Sequence, residues 1–296
     1  MKNFLKKHGF NICMILVCLI GVCIVAYPTV SDLWNRRVQS QVVRRYTEAV
    51  SNATEKELQE AKLAATLYNA SIYSIQTRGI EGEDEIAEYE KILNLDGSDV
   101  MGYIVIPAID ITLPIYHGTD EKVLQSGVGH SQYSSVPIGG NNTHSILLGH
   151  RGLPSARLFT DLDQLMEGDY FEIHVLDEIL YYKIYDIEIV EPVEMNKLRI
   201  EEGKDYVTLV TCTPYGVNTH RLLIKGTRTE EPKQAQFIYS DARKINDFYV
   251  ALAIGAVFWM IAMIILVIVS SNQKKHNISR KEKMRRDSIL HKYDKN

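Results

Sequence analysis

Two charge-free apolar runs near opposite ends constrain this chain more than any other feature. Phe10–Tyr27 (FNICMILVCLIGVCIVAY) and Phe248–Ser270 (FYVALAIGAVFWMIAMIILVIVS) are close to the ~20 residues that cross a bilayer. Neither keeps the polar stripe that a helix on a soluble core turns to water. Both read as transmembrane helices. Lys2, Lys6 and Lys7 precede the first, while Lys274, Lys275, Arg280, Lys281, Lys283, Arg285 and Arg286 follow the second, so the positive-inside rule puts both termini in the cytoplasm. No small-x-small cleavage site is evident around Val25–Pro28, which favours an uncleaved anchor. The expected location is the cell membrane, crossed twice, with the intervening domain on the extracellular face.

Charge follows the same partition. Residues 1–9 and 272–296 hold 12 of the 33 Lys+Arg and 3 of the 37 Asp+Glu, leaving the exported part near −13. That excludes nucleic acid as a partner, because its binding relies on cationic surface. The basic tail suits anionic membrane lipid. Of the four cysteines, Cys13, Cys18 and Cys23 fall in the first span and only Cys212 lies outside. A disulfide scaffold needs an even count, so Cys212 is either an incidental buried side chain or a working thiol.

Between the spans, 31–73 carries apolar residues at three- and four-residue steps and reads as a helix or helical pair, and Thr77–Ser98 as an acidic, Gly-punctuated linker with at most one short helix. From Met101 the pattern changes to short β-type runs: GYIVIPAI, ITLPIYHG, HSILLGH, YFEIHVL, ILYYKIYDIEIVEP, YVTLVTC and RLLIKGTR. This spacing predicts a mainly β domain, a closed barrel or a sandwich, which also removes exposed strand edges. Pro107 and Pro114 are expected at strand ends or edges. The expected order is a cytoplasmic N-terminus (1–9), a first span (10–27) and a helical stalk with room for a lid (31–100). A β-domain (101–230), a linker (231–247), a second span (248–270) and a basic tail (271–296) follow.

A thiol becomes a useful nucleophile beside a base, and histidine is the usual helper. His150 stands out among the exported histidines because it ends the apolar run SILLGH and opens into RGLP. Cys212 likewise ends YVTLVTC, and Arg221 begins RLLIKG. In antiparallel neighbours the intervening loop returns Arg221 near the level of Cys212, where a guanidinium can donate to an oxyanion. Each residue alone also fits an ordinary strand-end role.

Together the three match a known pattern. TLVTCTPYGVNTHR resembles the TLxTC signature and downstream arginine of sortases, and HSILLGHRGLP resembles the segment bearing their histidine. The stretch GVGHSQYSSVPIGGNNTHSILLGHRGLPSARLFTDLDQLMEGD and the two-span layout are similar to class C, the pilus-assembling branch. The resemblance covers about Gly102–Arg228. It implies an eight-stranded sortase-type barrel and a cysteine transpeptidase. Cys212 would attack the threonine carbonyl of an LPXTG-like sorting signal on a secreted pilin or surface protein, giving a thioester. His150 would be general acid and base, Arg221 would position the signal and stabilise the oxyanion, and a pilin lysine would resolve the thioester. One departure is visible: many class C members carry an Asp-Pro-aromatic lid motif, and none of the eight prolines here follows aspartate.

Three alternatives carry distinct signatures. A housekeeping sortase anchoring proteins to peptidoglycan shares the three residues but not the second span. An L,D-transpeptidase or cysteine amidase would show a His-Gly-Cys cluster. A membrane-anchored binding module would tolerate loss of Cys212. No metal site and no cofactor is expected, since EGEDE (81–85) lacks a Ca²⁺-loop pattern. Asp161 and Asp163 are candidates to orient His150.

Overall fold

The computed structural model describes residues 2–78, 89–232 and 255–263, with single positions 265, 279, 282 and 285. Ser31–Ala242 makes up one compact unit. Helix α1 (Lys2–Asn52) continues through Pro28 instead of breaking after Tyr27. A proline forfeits only one backbone bond of the preceding turn, and long apolar helices accommodate that loss. Among the described residues this is the one helix long and apolar enough to cross a membrane, with a mean hydropathy of 2.3 in its most apolar window. The second expected span lies largely outside the described residues, although 255–263 is helical.

Helix α2 (Glu55–Arg78) starts after only two intervening residues because Thr54 and Glu57 form a reciprocal cap. The Thr54 amide donates to Glu57 Oε2 at 2.8 Å and the Glu57 amide to Thr54 Oγ1 at 3.3 Å, satisfying donors that a helix start would otherwise orphan. Both helices are sewn to the β-domain. The buried Tyr46 hydroxyl donates to Met101 O at 3.0 Å and accepts from the Leu176 amide at 2.7 Å. Asn69 makes a two-way amide bond with the backbone of Val136, at 3.1 and 2.8 Å.

Eight strands follow: β1 (Val100–Ile106), β2 (Ile111–His117), β3 (Val128–His130), β4 (Thr143–Leu148), β5 (Tyr170–Val175), β6 (Glu178–Val190), β7 (Asp205–Thr213) and β8 (His220–Thr229). They close a barrel in the order β1-β2-β3-β4-β7-β8-β6-β5. Short helix α3 (Glu121–Ser126) precedes β3. The pairs β2/β3 and β4/β7 are parallel and the other pairs antiparallel. Pro107 does end β1, but Pro114 sits inside β2. It is tolerated there because β3 pairs only with Ile115–His117, so the ladder on that side begins one residue later.

Inward-facing Leu147, Val207, Leu209, Leu222 and Ile224 join the core cluster, with Phe171 stacked on Tyr182. The segment after Thr77 is more than a linker where it is described. Tyr89 is buried, its hydroxyl 2.8 Å from His130 Nδ1 and accepting from the Gly118 amide at 3.0 Å. Burial holds His130 neutral, lowering its pKa from 6.5 to about 4. Its Nε2 lies 2.8 Å from Ser135 O, which can only accept, so that nitrogen carries the proton.

A depressed native pKa means that the unfolded chain takes up a proton first. The stability this histidine contributes is complete above pH 6.5 and lost as pH falls toward about 4, to the extent of about 3 kcal/mol. Urea unfolding followed by tyrosine near-ultraviolet circular dichroism should show that loss. His130→Gln should flatten it, and an equally steep profile in the variant would refute the assignment.

Candidate active site

Strands β4 and β7 run parallel and end at the same rim, where β8 begins. Leu148 pairs with Val210, and Cys212 pairs directly with Arg221. Beyond the end of β4 the register holds: the Gly149 amide donates to Val210 O at 3.0 Å and Thr211 Oγ1 to Gly149 O at 2.7 Å. His150 therefore falls beside Cys212. Alternation settles the face. Leu147, Leu209 and Leu222 point into the core, so Leu148, Val210 and Leu223 point outward, and His150, Cys212 and Arg221 continue that outer row. Cys212 and Arg221 are paired on β7 and β8, and His150 follows two residues after the end of the neighbouring β4.

Local packing explains the geometry. A Cβ on Gly149 would come within 2.5 Å of the Phe159 ring, so the chain leaves β4 tight against the loop that returns to His150. There the Phe159 amide donates to His150 O at 3.1 Å. Cys212 is half-buried. Arg221 Nη1 donates to the carbonyls of Asn218 (3.3 Å) and His220 (3.1 Å). Its Nε and Nη2 are left without a bond among the described residues.

The β6–β7 connection covers this outer face farther down. His144 donates Nδ1–H to Arg199 O at 2.9 Å and accepts the Thr208 hydroxyl at Nε2, 2.7 Å. Burial lowers its pKa, and a neutral ring has one N–H for the carbonyl that needs it. Exposed apolar side chains, Tyr215 and Val217 in the β7–β8 turn and Val193 on the β6–β7 connection, border the rim. A cavity of about 580 Å³ is lined instead by Gly140, Thr143, Asp205 and Arg228. It lies where β4 and β7 start, away from the Cys212 rim.

The sequence did not disclose the groups around His150. Its Nε2 lies 3.3 Å from Glu121 Oε1, on α3. The Glu121 carboxyl is held below its usual range by the Gln125 amide and then by the neighbouring imidazole. Nothing in the sequence pattern links positions 121 and 150. Asp161 and Asp163 do not reach His150: Asp161 pairs with Arg157 and Asp163 with Arg151. Two nearby guanidiniums capture both carboxylates. Arg151 carries no sequence signal of its own, although it adjoins His150.

The chain is similar to known proteins in sequence and in fold. A family model described as the sortase domain matches residues 104–229. The chain is 26% identical over 259 residues to sortase A of Streptococcus agalactiae serotype III (strain NEM316), covering 84% of this chain and 96% of that protein. Its structure superposes on the crystal structure of sortase C1 from Streptococcus agalactiae with a TM-score of 0.61 and 46% identity, over 65% of this chain and 100% of that one. The chain belongs to the sortase family.

It is therefore a cysteine transpeptidase. Among the sortases it resembles is sortase C of Clostridium perfringens solved with the C-terminal cell wall sorting motif. That structure gives a TM-score of 0.58 and 42% identity, over 65% of this chain and 100% of that one. Sortases act on such sorting signals.

Proposed function

We propose that this sortase belongs to class C and polymerises pilin subunits, with Cys212 as nucleophile, His150 as general acid and base, and Arg221 as oxyanion donor. The observation that supports the reading is the direct pairing of Cys212 with Arg221, beside the end of β4, where the Gly149 amide next to His150 bonds to Val210 O. The 46% identity to a sortase C1, against 26% to a sortase A, supports class C over the housekeeping reading.

The Cys212 sulfur attacks the threonine carbonyl of an LPXTG-like signal. The C–N bond breaks, and the departing amine takes a proton from His150. A lysine amine of the next pilin then loses a proton to His150 and displaces the sulfur, forming an isopeptide. Catalytic residues thus come from the β-domain, 101–230.

The exposed apolar side chains Ile15, Leu16, Val17, Leu19, Ile20 and Ile24 of α1 would face lipid. The two-span topology, with both termini cytoplasmic, holds the enzyme beside its anchored substrates and raises their effective concentration. The test incubates the full chain in detergent micelles with a secreted pilin bearing an LPXTG-like signal, followed by mass spectrometry. A thioester on the Cys212 peptide and lysine-linked multimers are expected. An adduct followed only by hydrolysis would refute the pilin acceptor, and cross-links to peptidoglycan stem peptide would favour the housekeeping reading.

A further inference from the structure

Arg151 follows His150 directly, yet its side chain is 7% exposed. Its Nη1 donates to Thr213 Oγ1, next to Cys212, at 3.2 Å. Its Nη2 donates to the Asp163 carboxylate on the turn Leu162–Gln164. The ring of Tyr215, in the β7–β8 turn, lies over the guanidinium with its centroid 5.9 Å from Cζ. Gly152 makes the approach feasible: its φ is +76°, and a Cβ there would stand 3.0 Å from the Tyr215 ring. The arginine Nε is buried without a partner among the described residues.

Burying a guanidinium is costly unless it is paired, and an orphaned Nε adds to that cost. None of these bonds belongs to the β-ladder that closes the barrel. The cation instead joins the segment that carries His150, the residue after Cys212, and the turn that leads to Arg221. We infer that Arg151, anchored by Asp163, is a positioning residue that holds the His150 segment against the end of β7, so that imidazole and thiol keep their spacing through both acyl-transfer steps. The inference rests on the assignment of Cys212 and His150 proposed above.

The test compares the full chain in micelles with Arg151→Ala, Arg151→Lys, Asp163→Asn and the Ala/Asn double variant, on a sorting-signal peptide and an amine acceptor. Turnover is expressed per reactive Cys212 thiol, counted by mass spectrometry of the alkylated peptide, so that unfolded protein does not enter the rate. Arg151→Ala should lower kcat about 10- to 100-fold with KM changed less than about twofold, the pattern of a misplaced catalytic group. Arg151→Lys should recover part of the loss, because lysine keeps the charge without the fork. Asp163→Asn should lose less, and the double variant no more than Arg151→Ala. An unchanged kcat per thiol in Arg151→Ala, whatever its melting temperature, would reduce Arg151 to a structural residue. A change confined to KM would make it a substrate contact. Full activity in a Cys212→Ala control would place the failure in the nucleophile assignment instead.

Discussion

Cys212→Ala should abolish both the thioester and the lysine-linked multimers, lowering turnover toward the uncatalysed rate. Removing the nucleophile of a catalytic set that works as one unit costs roughly 10⁶-fold in well-studied hydrolases, and the neighbours cannot compensate because they act through the sulfur. The fold should tolerate the change. Cys212 is half-buried at the rim, on the outer row rather than among the core residues. Far-ultraviolet circular dichroism should match wild type while mass spectrometry finds no adduct. Multimers formed by a correctly folded alanine variant would remove Cys212 from the mechanism.

Arg221→Ala should lower kcat by about 10² to 10³, equivalent to ~3 to 4 kcal/mol of transition-state stabilisation, as for loss of one oxyanion donor. The basis is the direct pairing of Arg221 with Cys212, which places the guanidinium within a side chain's reach of any carbonyl held over the sulfur. Arg221→Lys should recover little, because an ammonium presents a point charge where the fork presents parallel donors. Stability should hardly change, since the bonds that Arg221 makes to Asn218 and His220 are local to its own turn. Pre-steady-state measurement of the acylation burst separates the readings. A slowed burst is expected, and a normal burst with a raised KM would make Arg221 a binding group only.

Much of the fold was legible because strand signals are local. Seven of the β-type runs coincide with strands, and the closed barrel agrees with the expected class. The eighth strand, β3, leaves no pattern in the sequence because Val128–His130 is three residues long, too short to show alternation. The continuity of α1 through Pro28 was equally hidden, since a proline signals a break whose outcome depends on the helix on either side.

The candidate site divides in the same way. Cys212, His150 and Arg221 could be named from sequence because each ends or begins an apolar run, and strand ends collect at barrel rims. Glu121 and the Arg151–Asp163 pair could not, because the partners stand 29 and 12 positions apart in the chain with no periodicity relating them. Asp161 and Asp163, the acids near His150 in sequence, are instead paired with Arg157 and Arg151.

The sequence by itself determined the apolar N-terminal helix and the mainly β domain, and it nominated the three candidate chemical groups. These are properties of composition and short-range pattern. Only the tertiary structure brings the chain segments that carry these groups to one rim. The parallel pairing of β4 with β7 aligns two ends separated by some sixty residues of chain, and the alternation of a closed barrel turns Cys212 and Arg221 to one face. Register between distant strands is a property of the closed sheet as a whole, which no single run of residues encodes.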